Sequence, residues 1–227
     1  MRYENEIVRG VFLSRPNRFI AHVALDGETV VCHVKNTGRC RELLLPGAQV
    51  YLERASDCSK RKTAYDLIAV KKGERLFNID SNAPNAAVLE YLKALYGDQA
   101  TIRAEKIFSS SRFDFYVELP DQRIFIEVKG VTLEENGIAS FPDAPTQRGC
   151  RHLRELCLAV EQGYRAQILF VIQMEGMRGF CPNDQRDPAF GRALRQARLQ
   201  GVQIKALCCE VTPEELKITG REIPLLF

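Results

Sequence analysis

Over roughly the first eighty residues, apolar and polar side chains alternate in five short runs, at 7–13, 18–25, 29–34, 49–53 and 64–71, each rich in Val, Ile, Phe or Tyr. Asp26-Gly27, Pro46-Gly47 and Lys72-Gly73 punctuate them with turn chemistry. Alternation at period two predicts strands with one buried face. Strands this short cannot hide their edges in an open sheet, so the runs predict a small closed barrel, for which the OB-fold is one solution.

The remainder has another rhythm. Beyond a cap at Ser81 or Asn82, the apolar positions Val88, Leu89, Leu92 and Leu95 follow helical spacing until Gly97. Strands are predicted at 101–108, 112–119 and 123–131, a helix at 146–162, a core strand at 167–173, a helix at 188–200 and a strand at 202–211. A short strand pair is predicted to close the chain. The order helix, three strands, helix, strand predicts a mixed sheet flanked by helices. The expected architecture is therefore α/β of the α+β mixed-sheet kind, with a barrel domain at 1–80 and a mixed-sheet domain at 81–227.

Composition narrows the classes. No run approaches the ~18 consecutive apolar residues of a membrane span, and the charged start Met1-Arg2-Tyr3-Glu4 has no apolar signal core. The eight cysteines show no C-x-x-C spacing, so neither a zinc site nor a secreted disulfide framework is expected. The expectation is a reduced, cytoplasmic protein with no membrane partner. A formal charge of +3 is too small to establish a polyanionic partner by itself.

The segment from Arg112 to Val131 carries charge where apolar residues would serve a hairpin better. Pro120-Asp121 supplies a turn. With Leu119 placed opposite Ile124, Tyr116 faces Glu127, Phe115 faces Val128 and Asp114 faces Lys129. Phe113, Phe115, Val117, Ile124, Ile126 and Val128 then share one face, and Asp114, Glu127 and Lys129 the other. Cross-strand Cβ atoms lie about 5 Å apart and diagonal ones roughly 7 Å, so Asp114 reaches both partners. A one-residue slip would dissolve the cluster. Two converging carboxylates repel unless a divalent cation lies between them, and Mg²⁺ suits a few acids plus water. Lys129 would orient that water or stabilise a transferring phosphoryl group, which outlines phosphodiester hydrolysis. The same residues could instead form an exposed Lys–Asp pair on a surface hairpin.

Several strings give the chain a family likeness. Ser111-Arg112-Phe113-Asp114-Phe115, Phe125-Ile126-Glu127-Val128-Lys129-Gly130-Val131-Thr132-Leu133 and Phe141-Pro142-Asp143-Ala144-Pro145-Thr146-Gln147-Arg148-Gly149, with His152-Leu153, Glu155-Leu156, Asn36-Thr37-Gly38-Arg39 and Pro46-Gly47, resemble the bacterial and archaeal sugar fermentation stimulation protein A family. The resemblance runs through essentially the whole chain. It implies an OB-like domain joined to a restriction-endonuclease-like core, non-sequence-specific DNA binding and a role in regulating sugar (maltose) metabolism. It also implies a PD-(D/E)XK signature at Asp114, Glu127 and Lys129, with Phe113 in the place of the proline. Mg²⁺ or Mn²⁺ is the expected cofactor, held by Asp114 and Glu127, and DNA the expected partner. The alternative is a catalytically silent DNA-binding regulator on a nuclease scaffold.

Further candidates surround this set. Glu105 on the preceding strand, and less so Glu90, is a candidate third carboxylate, the alternative being an exposed strand charge. Arg148 and His152 share the polar face of the helix after Thr146 with Glu155, and are expected to contact DNA or the active site. Arg112, together with Arg15, Arg18, Lys35, Arg39 and Arg41 in the barrel, is expected to grip DNA, with Phe19 and Tyr51 nearby for stacking. Arg192, Arg195 and Arg198 form a basic ridge on the last helix. His22 and His33 are expected to be ordinary strand histidines.

Overall fold

The computed structural model describes residues 1–36, 38–56 and 61–227. Strands β1 (Ile7–Asn17), β2 (Ile20–Leu25), β3 (Glu28–Val34), β4 (Gln49–Arg54), β5 (Tyr65–Lys72) and β6 (Arg75–Asn78) form a sheet in the order β3-β2-β1-β4-β5-β6. A parallel pairing of β3 with β5 closes the first five strands into an OB-like barrel. β1 pairs with both β2 and β4, and register shifts between Phe12 and Ser14 and between Ser14 and Asn17 interrupt its ladder with β2. Bulges of this kind bend a strand around a tight barrel. Phe12, Val23, Val34, Val50, Leu52 and Leu67 fill the interior.

Helix α1 (Ala83–Tyr96) leads into β7 (Thr101–Phe108), β8 (Ser111–Glu118) and β9 (Arg123–Val131). Short strands β10 (Leu133–Glu135) and β11 (Ile138–Phe141) precede α2 (Gln147–Glu161) and β12 (Arg165–Ile172). Then come β13 (Gly179–Pro182), α3 (Pro188–Leu199), β14 (Gln203–Val211) and β15 (Leu216–Glu222). The main sheet runs β15-β14-β12-β9-β8-β7, with β9, β12 and β14 parallel and the outer pairs antiparallel.

The apolar run of β12 is explained by its two covered faces. Ile168, Phe170 and Ile172 point into one core with α2 and α3, while Leu169 and Val171 point into a second beneath α1. The first core is continuous with the barrel interior, and backbone pairing crosses the join where the Asn78 N–H donates to the Gln173 carbonyl at 3.0 Å.

Four short strands, β6, β10, β11 and β13, lie beyond the sequence reading, because three- and four-residue strands carry too little alternation to stand out. The chain end holds the single strand β15 in place of the expected pair, and Phe180 bridges to Leu225. At the start of α1, Asn82 occupies the cap position but its side chain caps nothing, and Ser81 Oγ instead donates to the Lys35 carbonyl. Among the described residues no helix is long and apolar enough to cross a membrane. The seven described cysteines are free thiols, whereas Cys58 lies outside the described residues, as does Thr37 of the Asn36–Arg39 turn.

Phe170 joins these layers: fully buried, it stacks on Phe180 at 4.2 Å and meets Phe141 at 5.7 Å. Phe170→Ala should cost about 3–5 kcal/mol, read as a lower urea midpoint with unchanged slope.

Candidate metal and phosphodiester site

The hairpin register differs from expectation by two residues. Val117 pairs with Ile124 and Glu118 with Arg123, because the turn is tighter: Leu119 donates its N–H to the Gln122 carbonyl at 2.9 Å, leaving only Pro120 and Asp121 between them. An even shift preserves which face each side chain occupies, so the charged residues stay together. In the observed register Asp114 falls opposite Glu127, not Lys129, one step beyond the last ladder pair, Phe115 with Ile126.

The strands part at that step. The Val128 N–H is donated to the Asp114 carboxylate at 2.7 Å, and the Asn85 side-chain amide donates to its other oxygen at 2.9 Å. Phe113 is consequently not on the face of Phe115 as expected. Phe115 lies under α1, whereas Phe113 packs against Phe125 and the His152 ring in the α2 core.

Glu127 is 2% exposed. One carboxylate oxygen accepts from both Lys129 Nζ and His152 Nδ1, and the other is buried with no hydrogen-bond partner. Arg148 Nε donates to His152 Nε2 at 3.2 Å. That donor makes Nε2 the acceptor, so Nδ1 carries the hydrogen offered to Glu127. α2 presents both residues in its first turns because the Thr146 side chain caps it by accepting from the Gly149 N–H.

The two acids are pushed apart in acidity. Burial raises Glu127, but the His152 hydrogen bond and the Lys129 ammonium outweigh it and hold the carboxyl below its ordinary value. Burial, with the negative charge of Glu127 behind it, holds Asp114 above the ordinary range despite the Val128 and Asn85 donors.

Glu105 does not join this group. It sits at a positive-φ irregularity in edge strand β7, exposed, and its carboxylate is engaged in a surface ion pair with the equally exposed Arg112 at 3.3 Å. Glu90 binds the chain's amino terminus at 2.8 Å. Glu155, read as part of the polar face, is buried and accepts from Ser110 Oγ. Among the described residues no set of three His, Cys, Asp or Glu side chains forms a cation cage.

In the barrel, two expected DNA contacts are structural instead. The Arg15 guanidinium donates to the carbonyls of Arg18, Asn36, Gly38 and Arg39 at 2.7–2.8 Å, pinning the loop. Lys35 lies 3.0 Å from Asp80 and 3.5 Å from both Asp66 and Glu53. Burial pulls its ammonium down, yet these acids leave it above its ordinary value. Arg18, Arg39 and Arg41 are exposed and line one groove of about 520 Å³. His22 meets Ser14 and His33 meets Asp66. On α3 the ridge is partly consumed, since Arg195 grips Asp184 with two nitrogens and Arg198 donates to Phe227.

Residues 82–215 match the family model described as the sugar fermentation stimulation protein RE domain, and 13–79 that of the SfsA N-terminal OB domain. The chain belongs to the sugar fermentation stimulation protein family. Relatives called sugar fermentation stimulation protein homolog include one from Desulfitobacterium hafniense strain Y51, 56% identical over 218 residues, covering 96% of this chain and 95% of that protein. Another, from Ruminiclostridium cellulolyticum, is 55% identical over 213 residues, 93% of each. A solved structure described as Pyrococcus furiosus SfsA in complex with Ca²⁺ superposes with a TM-score of 0.87 at 28% identity, covering 100% of this chain and 98% of that one.

The opposed shifts carry opposite signs for stability. A raised Asp114 penalises the fold at neutral pH, a penalty that disappears as pH falls below the ordinary carboxylate range. A depressed Glu127 stabilises above that range and loses its contribution as pH falls through its folded value. In EDTA at pH 7, Glu127→Gln should therefore lower stability, the loss fading on acidification, whereas Asp114→Asn relieves a buried charge but sets an amide N–H against the Val128 or Asn85 donor and should cost less than Glu127→Gln. Urea titration across pH reads both.

Proposed function

We propose that this protein binds DNA without sequence specificity and hydrolyses phosphodiester bonds at a divalent-cation site built by Asp114 and Glu127. The observation that carries the reading is the buried Glu127 oxygen with no partner, beside an Asp114 whose acidity its charge perturbs. An unsatisfied carboxylate oxygen is costly in the interior, about 1–3 kcal/mol or more, and a cation relieves it. The Ca²⁺ named for the Pyrococcus furiosus relative supports a hard cation with oxygen ligands.

Bound there, Mg²⁺ or Mn²⁺ would acidify a water and offset charge on the phosphoryl group. The protein's own groups set the geometry. Asn85 and the Val128 N–H hold Asp114, and His152, itself held by Arg148, fixes Glu127. Lys129, mostly shielded, supplies positive charge next to the carboxylates and would orient the attacking water. Arg18, Arg39 and Arg41 would contact phosphates along the barrel. The family name connects relatives to sugar fermentation, and we infer a regulatory role in sugar metabolism from it.

One observation favours a second reading, a catalytically silent DNA-binding regulator. Glu127 already spends one oxygen on Lys129 and His152, and no third acid completes a cage among the described residues. Incubation with plasmid and Mg²⁺ or Mn²⁺ separates the two. Hydrolysis predicts nicking that Asp114→Ala lowers at least about a hundredfold while DNA affinity, measured in EDTA, stays within about threefold. No cleavage by purified protein with either metal would leave only the silent regulator.

A further inference from the structure

Gly38 joins two concavities. It lines the cationic barrel groove, and it also lines a narrower slot of about 200 Å³ between the barrel and the main sheet. Gly130, next in the chain to Lys129, and Ser81 line the same slot. A track therefore runs from Arg18, Arg39 and Arg41, over Gly38, to the backbone beside Lys129.

The two parts of this track differ in what they accept. Beside the groove, next to its lining residue Arg18, Phe19 is 43% exposed although it is a large aromatic, and the Arg18 guanidinium lies 4.6 Å from its ring centroid. An exposed ring with a cation beside it offers a stacking face to an unpaired base, whereas bases inside a duplex are already stacked on one another. At the slot the space is small. Its volume is less than half that of the barrel groove, so a single backbone segment enters it more readily than a paired duplex.

The slot is also held narrow by the chain itself. A Cβ on Gly38 would come within 2.8 Å of both the Asn36 and the Asp143 side-chain oxygens, so a larger residue would have to displace them. The Arg15 guanidinium, spanning four carbonyls, fixes the Gly38 and Arg39 backbone in place. Asp143 is the one acid among the described residues lining the slot, and its charge repels each phosphate that approaches, the two backbones of a duplex more than the one of a single strand.

We propose that the DNA this protein takes is unpaired: a single strand, or the single-stranded tail of a duplex, stacked on Phe19 beside the barrel groove and led past Gly38 toward the Asp114 and Glu127 site. The proposal rests on the DNA-hydrolysis reading above and adds the strand state to it. The hydrogen bonds of Phe19 in the fold are made by its backbone, the carbonyl accepting from the Val34 N–H and the N–H donating to Asn17 Oδ1, so removing its ring leaves them in place.

The test is fluorescence anisotropy of the full chain in EDTA with three labelled probes of one mixed sequence: a single strand of about 30 nucleotides, a blunt duplex, and a duplex bearing a single-stranded tail. The single strand and tailed duplex should bind at least about tenfold tighter than the blunt duplex. Phe19→Ala, and separately Arg39→Ala with Arg41→Ala, should each remove about tenfold of single-strand affinity without moving the thermal midpoint. Equal or tighter binding of the blunt duplex, or an unchanged Phe19→Ala affinity, overturns the proposal. If that blunt duplex is nonetheless cleaved in an Asp114-dependent manner, hydrolysis stands and the strand-state claim alone falls. A retained single-strand preference with no cleavage of any DNA leaves the strand-state claim standing and removes hydrolysis.

Discussion

A carboxylate enclosed by protein must be matched by donors or by cations, and Glu127 is matched on one side only. Lys129 and His152 share one oxygen while the second faces no donor. Much of the surrounding architecture serves that asymmetry. The β8–β9 ladder stops one residue short of the acids, which frees the Val128 N–H for Asp114 in place of a strand partner. Helix α1 brings Asn85 to the other Asp114 oxygen, and α2 brings His152 to Glu127. A fully paired sheet would have satisfied its backbone and left the carboxylates nothing to hold them.

The helices can do this because their own starts are tied down. Asp187 caps α3 by accepting from the Ala189 and Phe190 N–H groups, and its other oxygen accepts from the Thr146 N–H at the start of α2. Asp80 plays a related part for α1, accepting from the Asn82 N–H while Lys35 and Tyr3 reach its second oxygen from the barrel side. Gln173 extends this network by donating to Asn78 and to the Asp80 carbonyl. The barrel thus sets where α1 begins, and α1 sets where Asn85 meets Asp114.

The barrel, the mixed sheet and the hairpin were legible because period-two alternation and helical stripes report burial directly. The Asp114, Glu127 and Lys129 grouping survived a wrong register because the error was even. Phe113 was misassigned since alternation assumes a regular strand, and β8 departs from β9 at that point. Arg15 and Lys35 read as phosphate contacts because a sequence shows charge but not what surrounds it; four carbonyls consume one and three acids the other. Asn85 had no signal, being a polar residue on a helix whose partner lies 29 positions away. Buried Glu155 was likewise hidden, because helical spacing placed it with Arg148 and His152.

One apolar core runs from Phe12 and Val23 in the barrel to Phe113 and Phe170 beneath α2. Two bodies that share an interior cannot swing about a linker, so the span between the Phe19 shelf and the carboxylates is a constant of the molecule. On the proposed reading this makes the protein a caliper: a strand seated at one jaw would be cut at a set number of nucleotides from it, whatever its sequence.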